Sequence, residues 1–283
     1  MKTYKKTTLL ALAVAAVLAF APSAFAFSYG KNITVYDGET GTDVIGASGQ
    51  GSEDHEAETG MVQSQGWDLE GMFLKGNVLT MIGGFDFFST NPNSTNYTSG
   101  DIFINTKNGF GGGNVTTPQG NSFVTNSFGY EYALDINWIL KTFSIVDLTS
   151  SSTRTETVYY SQNTNSIPGS NPWRYKDNGT VKGNPGTVIN GGKISDADSG
   201  FSDWNSNSND TNHYVASFDL TDFFSVANLY GKDFDVHFTM GCGNDNLMAH
   251  DTAPVPEPGT MMLLGFGMLG LAVYGKRRMN KEA

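Results

Sequence analysis

The sequence predicts an all-β protein: an antiparallel β-sandwich ectodomain of jelly-roll-like form, with an N-terminal signal helix and a single C-terminal transmembrane helix. Three observations carry this. Apolar and polar residues alternate with period two in several short runs, and Gly, Ser, Thr and Asn fill the connections between them. The longest apolar stretches lie at the two ends of the chain rather than in its middle. Half-buried strands separated by turn residues hide their apolar faces by packing sheet on sheet.

The chain opens on Lys2, Lys5 and Lys6, continues through an apolar run over 9–20, and reaches Ala24-Phe25-Ala26. That last group is the small-x-small pattern a signal peptidase reads. The run is too short to cross a hydrocarbon core of about 30 Å as a permanent helix. Residues 1–26 are therefore expected to be a cleaved signal peptide, residues 27–252 the β-sandwich, and 253–283 a tail.

Within the ectodomain, Trp67, Leu69 and Phe73 share one face, with Asp68 and Glu70 opposite. Residues 77–83 follow the turn formers Lys75-Gly76-Asn77, which makes a hairpin. Residues 101–105 form a short strand. Over 130–138 the alternation is cleanest: Tyr130, Tyr132, Leu134, Ile136 and Trp138 face one way, and Glu131, Asp135 and Asn137 the other. Residues 142–148 and 153–161 are expected as its next neighbours. Two late runs alternate in the same way, Tyr214 to Leu220 and Phe234 to Met240, with a short helix over 220–230 between them. Loops are expected at 38–65, 86–100, 106–127 and 162–210, lengths unusual in compact domains. No repeat of fixed period is visible, which argues against a solenoid or propeller.

The formal net charge is −11 although both ends are basic, so the central stretch is strongly acidic. Such a surface repels phosphate backbones and anionic lipid, which argues against nucleic acid as a partner. The single cysteine, Cys242, excludes an internal disulfide. It is either buried as a small apolar group or pairs with another chain.

Four constellations bear on chemistry. Asp196 and Asp198, with Asp203, Asn205, Asn207, Asn209 and Asp210 behind them, are the candidate calcium ligands. Gly200 stands where an EF-hand loop needs a ligand, so that pattern fails, and a solvated loop is the alternative. No other cofactor is expected. Glu53-Asp54-His55-Glu56 lacks the His-Glu-x-x-His spacing of a zinc protease. The pairs Asp68 with Glu70, Glu131 with Asp135, and Asp219 with Asp235 would suit glycoside hydrolysis only if they faced each other across an exposed sheet. Trp173, Tyr175 and Trp204 sit in polar stretches, where they either stack on sugar rings or plug the rim of the sandwich. Trp67 and Trp138 lie on apolar faces and are core residues.

The tail is the most specific segment. Val255, Pro256, Glu257 and Pro258 open a motif over 255–260, and prolines hold such a segment extended. A helix over about 259–275 could just cross a thin bilayer, and Lys276, Arg277 and Arg278 would hold the end 276–283 in the cytoplasm. This order resembles the PEP-CTERM sorting signal: a Pro-Glu-Pro motif, a membrane helix and a short basic end. The resemblance implies recognition of Pro256, Glu257 and Pro258 by exosortase, a membrane protease/transpeptidase, and removal of the helix near the motif. Residues 237–247, 67–73 and 100–105 are likewise similar to parts of exosortase-dependent ectodomains, which implies a shared β-sandwich and no known catalytic activity. The expected function is that of an exported bacterial cell-surface or extracellular-matrix protein. It would be non-enzymatic, associated with exopolysaccharide or biofilm, and membrane-held through its C-terminal helix until processing. A carbohydrate-binding module is the alternative, and a secreted glycoside hydrolase a third reading.

Overall fold

The structure is a computed structural model, and it describes residues 29–35, 61–62, 64–89, 97–107, 123–126, 128–159, 170–195, 199–201, 213–255 and 267–268. The strands are β1 (Lys31–Asn32), β2 (Leu69–Lys75), β3 (Val78–Gly83), β4 (Ile102–Asn105), β5 (Phe123–Thr125), β6 (Tyr132–Asn137) and β7 (Thr142–Asp147). They continue as β8 (Arg154–Glu156), β9 (Arg174–Asp177), β10 (Thr180–Ile194), β11 (His213–Asp219), β12 (Asp233–Thr239) and β13 (Asn246–Thr252). One short helix, α1 (Thr221–Val226), lies between β11 and β12.

The all-β expectation holds. In place of two facing sheets of similar size, one large sheet curls round its own core, in the order β1-β2-β3-β11-β10-β7-β6-β4-β12-β13. Its neighbours pair antiparallel throughout. The residues after β1 bring the two edges together. Ile33 N–H donates to Met72 O on β2 at 2.9 Å, while Val35 N–H donates to Met248 O on β13 at 2.8 Å and His250 N–H to Ile33 O at 2.9 Å. A closed sheet leaves no exposed edge to recruit another chain.

One apolar cluster draws on nearly every strand of this sheet, including Leu79, Ile104, Leu134, Phe218, Val236 and Phe238. Trp67 and Trp138 pack against it as expected, with the Trp138 ring 6.0 Å from Phe218 and 6.1 Å from Phe238. Outside the curl, β5, β8 and β9 form a second, three-stranded sheet. A second apolar cluster of Phe103, Phe128, Tyr130, Ala133, Val146 and Leu148 packs with Val124 and Tyr175 of this small sheet.

This extra layer explains several departures from the sequence reading. Residues 153–161 supply β8 of the small sheet rather than a neighbour of β7. Much of the expected 162–210 loop is strand, β9 and the fifteen-residue β10. Tyr130 leaves the face shared by Tyr132, Leu134, Ile136 and Trp138 and joins the outer cluster. The alternation breaks at Glu131, whose N–H donates to Ile104 O at 3.1 Å and whose O accepts from Leu148 N–H at 2.7 Å. Phe73 likewise turns outward, because an irregularity between Leu69 and Gly71 shifts the register by one residue.

The hairpin of β2 and β3 turns where expected, at Gly76, whose φ of +57° costs glycine little. Helix α1 starts at Thr221, where Asp219 Oδ1 accepts from the Thr221 N–H at 2.9 Å and from its hydroxyl at 2.6 Å. It ends earlier than predicted, and Asn228 with φ of +53° turns the chain towards β12.

Candidate functional site

The root of the tail is the first place where fold and function meet. Beyond β13, Ala253 is still packed: its N–H donates to Lys232 O and its O accepts from Gly231 N–H, both at 2.8 Å. Two residues later Val255 is 64% exposed. The Lys31 ammonium meets the Asp251 carboxylate at 2.8 Å, so the start and the end of the folded domain lie side by side. Pro256, Glu257, Pro258, Lys276, Arg277 and Arg278 lie outside the described residues, as do the signal segment, Asp196, Asp198, Trp204 and the run around His55. Among the described residues no helix is long and apolar enough to cross a membrane, and no group of three or more His, Cys, Asp or Glu could hold a metal ion.

Trp173 is not an exposed sugar platform. It is 1% exposed, and its indole N–H donates to Thr98 O at 3.2 Å. Its backbone joins the layers, with N–H donating to Glu156 O and O accepting from Asp101 N–H, both at 2.9 Å. The Arg174 guanidinium covers the ring at 4.1 Å. Trp173 is thus the rim plug that its polar sequence surroundings left as the alternative.

The carboxylate pairs are also rearranged. Asp68 and Glu70 are fully buried rather than displayed on an outer face. Glu70 Oε1 lies 3.0 Å from His213 Nε2, also buried, and accepts from the Gln65 amide at 3.4 Å. Asp235 is buried, with Oδ1 2.6 Å from His250 Nδ1. Glu131 accepts from the Thr106 N–H and hydroxyl at 2.7 and 2.9 Å, and Asp219 accepts from the Thr221 N–H and hydroxyl at the start of α1. Cys242 is buried, and burial pushes its thiol up to about 11, which leaves it protonated and unreactive at neutral pH.

What the structure does assemble is a cleft of about 620 Å³ where the small sheet meets the outer face of the β6–β7 hairpin. Gly100 and Asp101 are its hinge. A Cβ on Gly100 would lie 2.4 Å from Trp173 O and 2.6 Å from Thr239 O, so only glycine lets the layers approach this closely. Asp101 then bridges them: Oδ1 accepts from Ile136 N–H on β6 and Oδ2 from Tyr175 N–H on β9, both at 2.8 Å. Burial, reinforced by the charge of Asp135, lifts the Asp101 carboxyl to about 7 against the pull of those two N–H groups. Burial also raises Asp135 and Glu156, with Arg174 opposing it in both.

Tyr175 therefore does line a cleft, with its hydroxyl accepting from Gly179 N–H at 3.0 Å. Asp135 lies there too, on the polar face predicted for β6. Sequence reasoning missed Asp101, Glu156 and Arg174. The one available signal was Gly100-Asp101, a glycine and a charge directly before an apolar strand.

The last described strand, β13, ends at Thr252, three residues before the sequence Val255-Pro256-Glu257-Pro258 begins. Residues 254–278 match the family model of the PEP-CTERM protein-sorting motif. No curated protein and no solved structure matches the chain. The motif implies exosortase-dependent export, surface or extracellular sorting, and exosortase as the processing partner.

Proposed function

We propose that this is a non-enzymatic cell-surface or extracellular-matrix protein, held in the membrane by its C-terminal helix until exosortase releases it, and then retained with exopolysaccharide. The observation that carries the reading is the position of the sorting motif. Its match begins at residue 254, directly after Ala253, the last buried residue among those described. A domain tethered this closely is presented at the outer face of the membrane, where the tail is processed. The acidic composition supports a soluble extracellular life.

Replacement of Pro256, Glu257 and Pro258 by alanine is expected to leave a full-length, membrane-retained chain, read by fractionation and immunoblotting. Processing at the wild-type rate would overturn the sorting claim. A secreted glycoside hydrolase is the second reading, since Asp101 and Asp135 share a cleft. Both Asp101 oxygens accept backbone N–H groups, which supports a structural carboxyl and hence the non-enzymatic reading. Hydrolysis of a polysaccharide that is abolished by Asp135→Ala would favour the hydrolase.

A further inference from the structure

The cleft between the two sheets has a lining that points to a ligand class. Its floor is the outward face of the β6–β7 hairpin, where Asp135 stands opposite Ser144 and Asn137 opposite Thr142. This is a two-by-two array of hydroxyl, amide and carboxylate groups at strand spacing. Tyr175 and Ile139 add apolar surface at the wall and the rim, and Ile139 is 75% exposed. A volume of about 620 Å³ falls within the range of small-ligand sites, roughly 300–1,000 Å³.

The walls are fixed in advance. Asp101 ties β6 to β9, the Trp138 indole N–H donates to Gly100 O at 2.9 Å, and Arg174 is clamped between the Trp173 ring and the Thr98 hydroxyl, 2.6 Å away. Little ordering is left for a ligand to impose.

The charges select among ligands. Arg174 is surrounded by Asp101, Asp135 and Glu156, each of which feels its positive charge. Lys176 is the second cation of the lining and also acts on Glu156, so three carboxyls face two cations and an incoming uronate, sulfate or phosphate gains no net attraction. A purely apolar ligand would strand the polar floor without partners. A polyhydroxylated, uncharged chain satisfies both conditions: its hydroxyls donate to the carboxylates and exchange with Ser144 and Thr142, and its C–H faces lie on Tyr175 and Ile139.

We propose that this cleft binds a neutral, hydroxyl-rich sugar chain. The proposal rests on the polysaccharide-associated reading above and gives it a site and a sugar class.

The test uses the mature secreted chain and titration calorimetry with neutral glucan and mannan oligosaccharides and, in parallel, alginate oligomers. Saturable binding is expected with at least one neutral series and none with alginate. Asp135→Ala, which alters an exposed side chain, is expected to weaken it by about tenfold or more, the equivalent of one charged hydrogen bond. Ser144→Trp, which fills the cleft, is expected to abolish it, with circular dichroism confirming that both variants fold. No neutral binding, preference for alginate, or wild-type affinity in Asp135→Ala would each overturn the proposal. Co-fractionation of the wild-type protein with exopolysaccharide is scored separately. If it persists while the cleft variants bind as wild type, the site is wrong and the association stands. If it is absent, the association itself fails.

Discussion

Deleting residues 29–35 from the mature chain is expected to abolish cooperative unfolding and to yield aggregates in sedimentation. Those residues join the two ends of the large sheet: Ile33 is fully buried in the main core, and its backbone with that of Val35 bonds to both β2 and β13. The Thr34 hydroxyl accepts from Met72 N–H at 2.9 Å, reinforcing the junction. Losing the Ile33 side chain costs about 2–5 kcal/mol by analogy with large-to-small core changes. The broken hydrogen bonds add about 1 kcal/mol each. The sum approaches the whole stability of an ordinary domain, roughly 5–15 kcal/mol. Opening the ring also bares the edges of β2 and β13, which then pair with other chains. A monomeric deletion variant with a wild-type urea transition would show that the closure contributes nothing.

Asp101→Ala is expected to destabilise the domain by roughly 2–5 kcal/mol, because the buried N–H of Ile136 and the partly buried N–H of Tyr175 lose their acceptor. The loss should depend on pH, and its sign follows from the raised carboxyl. The folded-state value of about 7 lies above the ordinary 3.8. The folded protein therefore holds the proton more tightly than the unfolded chain. The stability this contributes is fully present below about 3.8 and is lost as pH rises through about 7. The difference between wild type and Asp101→Ala should accordingly be larger at pH 5 than at pH 8, measured by urea unfolding at both. A difference that grows with pH would mean the carboxylate is the stabilised form.

The strands legible in the sequence are those whose two faces differ. The β2–β3 hairpin, β6 from Tyr132 onward, β11 and β12 are strands where alternation placed them, and Gly76 marks the hairpin turn, but only β6 keeps one face exposed while β2, β3, β11 and β12 are buried on both. β10 was illegible for a physical reason. Its Gly-Asn-Pro-Gly and Asn-Gly-Gly stretches have little strand propensity, and it is held by long-range pairing to β7 and β11 with a register shift on each side. The small sheet was hidden for a related reason: residues on the outer face of the large sheet look solvent-facing until something covers them. His237 illustrates this, since it alternates as an outward residue yet is buried beneath the second layer. Its ring stacks 5.6 Å from Tyr130, and burial lowers it to about 4, so it stays neutral. The same error placed Asp68 and Glu70 at the surface. The tail was readable because its signal is local: a motif, an apolar run and a basic end in fixed order need no tertiary partner. The cleft was half readable, through Asp135, Asn137 and Tyr175. Glu156 and Arg174 reach it only because β8 and β9 fold back over the hairpin.

The mass of the protein recovered from outside the cell tests the sorting tail most directly. The expected species begins at Phe27 and ends at or near Pro256-Glu257-Pro258, without the apolar stretch or the basic end. A secreted chain that still carries Arg277 and Arg278 would contradict it.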